Sequence, residues 1–268
     1  ETIANKLISE SMFGGHVYGQ TTESSNVAQL RREHVIEHYA MLGSGNLSVF
    51  LSGQVRDDHL QLVESACGRL RAGSTPGSYD HPEPQDVRSI RVKGPQTFQA
   101  AIRIGRQVIE RRHPDFPALF LLNTVLGGFF GARLMHNIRE KQGLTYGIYS
   151  TLETLVKGAC LIISTEAAVD KTERVIGEIH KEIVRLQNAP VPEQELEMVR
   201  NYLMGTLLMQ LDGPLRSMDM IKTMIMESLD DAYFHQFVRD IRETSAGDVQ
   251  RVAQQYLDLA DLNTAVVG

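Results

Sequence analysis

The sequence predicts an α+β fold, in which strands arrive in neighbouring pairs and are followed by a run of helices. Three observations carry this. Residues 145–153 and 158–166 read as a strand pair. Residues 88–92 and 97–106 alternate as two further strands around Lys93-Gly94-Pro95. From Asp170 onward the pattern turns helical, with Val175, Ile179, Ile183 and Leu186 on one face until Pro190 and Pro192 break it.

The remaining elements follow in order. Residues 1–11 read as the middle of a helix, as expected of an excised piece or a processed product. Residues 26–40 form a second helix, with Leu30 and His34, then Val35 and Tyr39, at helical spacings, stopped by Gly43 and Gly45. Leu47 to Leu51 is a short apolar run of strand character closed by Gly53. A helix from Asp57 to about Leu70 places Leu60, Val63, Cys67 and Leu70 on one face. Residues 72–86, with Gly73, Pro76, Gly77, Pro82 and Pro84, form the clearest linker. Beyond it, a Leu- and Phe-rich helix covers 114–126, a glycine-rich turn opens a helix over roughly 131–141, and helices after residue 192 lead to a last strand at 262–267. Leu47–Gly53 and Leu262–Gly268 resemble each other at a separation of about 215 residues, which suits two copies of one large domain.

Composition narrows the function classes. The 268 residues are 42% hydrophobic and 22% charged, as in ordinary globular proteins. A net charge of -6 leaves no general basic footprint for nucleic acid. No apolar run is long enough to span a membrane. The compartment stays open between cytoplasm and periplasm for a chain of soluble character. Cys67 and Cys160 sit in apolar contexts and read as two buried free thiols.

His34-Val-Ile-Glu37-His38 matches the H-x-x-E-H zinc pattern, which on a helix would set two imidazoles one turn apart with a carboxylate base between them. Three arguments count against a metal here. The repeat places this helix opposite Arg251–Tyr256, which has no ligands; neither Glu64 nor Glu110 supplies a third ligand at a suitable spacing; and the flanking residues resemble a different part of a family pattern. No metal ligand is therefore expected in this chain.

The most informative run is residues 126–150. It holds Leu126-Gly127-Gly128, then Phe129-Phe130-Gly131, Ala132-Arg133-Leu134, and Arg139-Glu140-Lys141-Gln142-Gly143-Leu144-Thr145-Tyr146. Glycines there allow close backbone approach, and a helix start attracts oxygen ligands, although a tight helix–helix connection explains the same spacing. Arg139 near a helix end suits the dipole, and Tyr146 suits a half-buried strand position. In order and spacing, however, the whole run resembles the second-domain pattern of the pitrilysin/insulinase family of zinc peptidases. Gly15-His16-Val17-Tyr18-Gly19 and residues 46–55 are similar to the end of that family's first domain.

The resemblance implies repeated homologous domains, each a largely antiparallel sheet packed with helices. Residues 1–80 would be the end of a first domain and residues 81–268 a second, inactive, substrate-binding one. It implies a peptide substrate, with Arg139 and Tyr146 contributing to catalysis by holding carbonyl oxygen and oxyanion. Gly127, Gly128 and Gly131 are secondary substrate contacts. Phe129 and Phe130 depart from the small residues usual there and either pack as core or line the chamber. Zinc would belong to the complete enzyme and be brought by an N-terminal half or a partner chain, in a homo- or hetero-dimer. The competing expectation is a non-catalytic homologue acting as a structural or peptide-binding subunit.

Overall fold

The computed structural model describes residues 1–73, 77, 80–94 and 98–268. Pro76 of the expected linker, and Pro95 and Thr97 of the expected turn and strand, lie outside the described residues. Two compact units are present, one of residues 1–21, 81–204 and 231–268, the other of residues 22–80 and 205–230.

The first unit is built on a five-stranded sheet. Its strands are β1 (Ser89–Val92), β2 (Gln99–Val108), β3 (Thr145–Leu155), β4 (Gly158–Ala168) and β5 (Asn263–Val267), in the order β1-β5-β2-β4-β3. All neighbours are antiparallel except β1 and β5. The fold is thus α+β with a largely antiparallel sheet. The two strands around Lys93-Gly94-Pro95 are not partners, because β5 lies between them. β5 carries fully buried Ala265 and needs ladder partners on both sides. β1 meets it through the Thr264 N–H to the Arg88 carbonyl at 2.9 Å and the Arg88 N–H to Asn263 Oδ1 at 2.9 Å.

Helices supply the rest of this core. α1 (Thr2–Phe13) lays Ile8, Met12 and Phe13 against Cys160 and Ala265 of the sheet. α5 (Phe116–Asn123) packs on β3, and α6 (Thr172–Asn188) on β4. The stripe of Val175, Ile179, Ile183 and Leu186 is fully buried, and each such side chain contributes about 1.5–3 kcal/mol. α9 (Asp231–Glu243) and α10 (Ala246–Tyr256) pack on α5. Asp115, just ahead of α5, ties α10 down by accepting from Arg251 at 2.7 Å and from the Tyr256 hydroxyl at 2.9 Å. The Arg251 guanidinium holds the Asp115 carboxyl below the usual range, and burial with this bond pushes the Tyr256 phenol up to about 12. α7 (Glu193–Gln210) starts in this unit and ends in the other.

In the second unit, the helix expected over 26–40 is two helices, α2 (Ser24–Ala28) and α3 (Arg32–Met41). The new start is stabilised locally, since His34 Nδ1 accepts the Arg31 N–H at 3.3 Å. α4 (Asp57–Cys67) and α8 (Pro214–Met226) complete the unit. The strand expected at Leu47–Leu51 is a correction, because these residues form no ladder. The pairing falls one step earlier instead, with the Ser44 N–H donating to the Arg71 carbonyl at 2.9 Å and the Gly45 N–H to the Ala72 carbonyl at 2.7 Å. Strand propensity needs a neighbouring strand to express itself, and Leu47, Val49 and Leu51 remain exposed. The apolar face of α4 likewise holds no buried residue. Of the two cysteines, Cys160 is buried and Cys67 only half-buried, which corrects the expectation of two buried thiols. Burial, with Glu153 nearby, pushes the Cys160 thiol up to about 12. Among the described residues no helix is long and apolar enough to cross a membrane.

Candidate functional site

The site is assembled where two wide, π-type helical segments meet the edge strand β3. α5 widens over Thr124–Gly128, and a second wide segment covers Met135–Lys141. Such segments recur at functional sites because the extra residue per turn redirects side chains. The expected arrangement, three glycines opening a helix, is not what forms. Gly127 and Gly128 lie in the last turn of the preceding helix, and only Gly131 precedes the next. Docking on β3 explains this. Ser150 donates to Asn123 at 2.5 Å, with both side chains buried. A Cβ on Gly127 would come within 2.6 Å of the Ser150 backbone nitrogen. Gly127 is thus a packing residue, whereas Gly128 and Gly131 are exposed.

Arg139 lies on Met135–Lys141. Gly143 ends that segment in the left-handed region at φ 59°, its N–H donating to the Arg139 carbonyl at 3.0 Å, while the Leu144 N–H reaches the Ile138 carbonyl at 3.0 Å. Asn137 fastens the segment to α6 by donating to Glu178 at 3.2 Å and Glu182 at 2.6 Å. Lys181 and Gln142, donating to Glu178, hold its carboxyl down to about 2.

Tyr146 lies at the start of β3, at a β-bulge. Thr145 opposes Ala167, but Ile148 opposes Thr165, so β3 carries one extra residue. Two hydroxyls pin the bulge. Thr145 and Thr165 bond each other at 2.9 Å, Thr165 donates to the Gly147 carbonyl at 2.8 Å, and the Gly147 N–H donates to Thr145 at 3.2 Å. Released from the regular pleat, Tyr146 stands 90% exposed rather than half-buried as a strand position suggests.

The two residues meet. The Arg139 guanidinium carbon lies 5.4 Å from the centre of the Tyr146 ring and 4.8 Å from that of Phe130. The cation is held between two aromatic faces, with its planar N–H edge left to donate. Phe130 therefore contributes to the site, which the sequence left undecided between core and chamber. The turn that carries it is fastened to α7. Phe129 stacks on Tyr202 at 4.7 Å, and Arg133 bonds Glu195 through both carboxylate oxygens at 2.8 Å. Glu195 and Tyr202 escaped sequence reasoning, because they come from a distant helix with no motif of their own.

His34, Glu37 and His38 are exposed, and His34 Nδ1 is engaged at the helix start. Among the described residues, no three His, Cys, Asp or Glu side chains come together in a way that could hold a metal ion.

The family model of the peptidase M16 inactive domain matches residues 29–203. An uncharacterized zinc protease YmxG of Bacillus subtilis (strain 168) is 25% identical over 220 residues, covering 80% of this chain and 52% of that protein. A non-peptidase homolog YmxG of Helicobacter pylori (strain ATCC 700392 / 26695) is 25% identical, covering 99% of this chain and 61% of that protein. The chain thus spans about half to three fifths of these curated relatives. A solved peptidase M16 inactive domain from Pseudomonas fluorescens superposes with a TM-score of 0.89 at 20% identity, covering 99% of this chain and 65% of that one, which shows the same fold. Matched over most of its length, and carrying the glycine, Arg139 and Tyr146 run in a pitrilysin-like fold, the chain belongs to the peptidase M16 inactive-domain family.

Proposed function

We propose that this chain is the substrate-holding, C-terminal part of a zinc-dependent peptidase, in which Arg139 and Tyr146 donate hydrogen bonds to a bound peptide. The placement of the Arg139 guanidinium between the rings of Phe130 and Tyr146 carries this reading. A cation held this way loses little freedom when it meets a carbonyl oxygen, and a fixed donor aimed at developing negative charge lowers a transition state. The exposed Tyr146 hydroxyl is a second donor beside it. β3 is an edge strand, so an extended peptide has backbone groups to pair with at the same place. Gly128 and Gly131, on the exposed turn, are secondary contacts, and Gly127 acts through packing.

No group among the described residues fits zinc. In this proposal the metal belongs to an N-terminal half or a partner chain, in a homo- or hetero-dimer. Residues 1–80 are then, in sequence order, the end of a first pitrilysin-like domain and residues 81–268 the second, although residues 1–21 pack in the same compact unit as the sheet. The exposed apolar side chains of Val35, Ile36 and Tyr39 on α3, and of Leu60 and Leu62 on α4, support a further part of that first domain packing there.

Arg139→Ala in the intact protein tests the assignment. Peptidase turnover is expected to fall by about 100-fold, with zinc content unchanged. Unaltered turnover would sink it. The second reading, a non-catalytic peptide-binding subunit, is favoured by the Helicobacter pylori relative's description as a non-peptidase homolog. It predicts peptide binding weakened by Arg139→Ala, with no hydrolysis even in the presence of zinc.

A further inference from the structure

Phe130 holds one side of the Arg139 guanidinium, yet the turn that carries it, residues 128–131, contains no buried residue. The turn is closed by the Ala132 N–H donating to the Phe129 carbonyl at 3.1 Å. It needs side chains from elsewhere to fix where Phe130 points, and α7 supplies them.

Glu195 and Tyr202 lie seven residues apart on α7, two helical turns, and so share one face. Glu195 accepts from two nitrogens of the Arg133 guanidinium, each at 2.8 Å, a forked pair that fixes orientation as well as distance. The two side chains are 19% and 27% exposed, so water screens this pair less than an open surface pair. Tyr202 stacks on Phe129 with ring centres 4.7 Å apart and planes 28° apart. A Cβ on Gly131 would come within 2.7 Å of the Phe129 ring, so the turn is folded closely round that ring. The chain is therefore gripped at Phe129 and at Arg133, and the contact with Arg139 falls to Phe130 between the two grips. All of these residues belong to the same compact unit.

We infer that Glu195 and Tyr202 are positioning residues of the peptide site, which set Phe130 and, through it, the Arg139 guanidinium. The inference rests on the reading of Arg139 as a peptide donor and deepens it by naming what holds that donor in place.

Two measurements on the intact protein test it. In the first, NMR of isotope-labelled arginine reads the Arg139 Nε–H proton, assigned by its loss in Arg139→Lys. The ring currents of Phe130 and Tyr146 move this proton upfield. Glu195→Ala and Tyr202→Leu should each return it towards its open-chain position, as Phe130→Ala does. In the second, a fluorescein-labelled unfolded casein peptide reads affinity by anisotropy. Each variant should weaken binding by about two- to fivefold, the size of a lost cation–π contact. Neither should add a further loss in a Phe130→Ala background, because the effect passes through Phe130. Tyr202→Phe keeps the stacking ring and should leave both readings near wild type. Tyr202 is 41% exposed, so Tyr202→Leu decides the matter even where Glu195→Ala disturbs folding. An unmoved Arg139 signal in the Tyr202→Leu protein, or affinity losses that persist in full in Phe130→Ala, overturns the inference and leaves Arg139 standing as a peptide donor. Wild-type affinity in Arg139→Ala overturns that underlying reading and this inference with it.

Discussion

The Arg139 guanidinium lies over the Tyr146 ring at 5.4 Å, although the two residues sit on different elements, a wide helical segment and a bulged edge strand. The contact joins the two side chains into one unit. Arg139→Lys should therefore behave like Arg139→Ala in a peptidase assay of the intact protein, because an ammonium lacks the planar face that stacks and the paired donors. Restoration of near-normal turnover by Lys would show that charge alone suffices.

Phe130 completes the unit from the other side. Phe130→Ala should cost about 0.5–1 kcal/mol of Arg139 placement, seen as a loss of a few-fold in kcat/KM, and Phe130→Tyr should keep most of it. The thermal midpoint should hardly move, since Phe130 is 58% exposed. A large drop in thermal midpoint with unchanged kcat/KM would instead make Phe130 a packing residue.

Gly127 and Gly128 separate packing from exposure. Gly127→Ala forces a methyl to within 2.6 Å of the Ser150 nitrogen and should destabilise the fold by about 1–3 kcal/mol. At Gly128 a Cβ would meet the Thr124 Cβ at 3.3 Å, a tight contact that a shift of a few tenths of an ångström relieves, so Gly128→Ala should cost clearly less than Gly127→Ala. Urea denaturation of the two variants checks the contrast, and equal effects would refute it.

Gly143 is required for its backbone alone. At φ 59°, Gly143→Ala should cost about 1–2 kcal/mol although a Cβ there meets open space. The loosened Arg139 carbonyl should show as faster amide exchange at Gly143's neighbours. A stable variant with unchanged exchange would contradict this account.

Glu178 should make stability acid-sensitive. Lys181 and Gln142 hold its folded carboxyl down to about 2, against an ordinary value of 4.5. A depressed carboxyl contributes stability that is complete above the unfolded value and lost as pH falls towards the folded one. The gap between wild type and Glu178→Gln should be full above about pH 4.5 and close towards pH 2. Denaturation midpoints measured across that window test it, and a gap that widens on acidification would reverse the sign.

The sequence by itself determined the α+β class, the strand pair of β3 and β4, the buried stripe of α6 and the family run from Leu126 to Tyr146, because each is written in local periodicity or in a motif of fixed spacing. It also pointed to Arg139 and Tyr146 as partners by resemblance. Tertiary structure decided what depends on neighbours. Leu47–Leu51 has strand character but no ladder, because a strand exists only where another lies beside it. β5 comes between β1 and β2 although it is last in the chain. Phe130 became Arg139's second ring partner because Arg133 and Phe129 fasten its turn to Glu195 and Tyr202, some sixty to seventy residues away along the chain. Contacts of that range carry no local spacing, so only the folded chain brings them together.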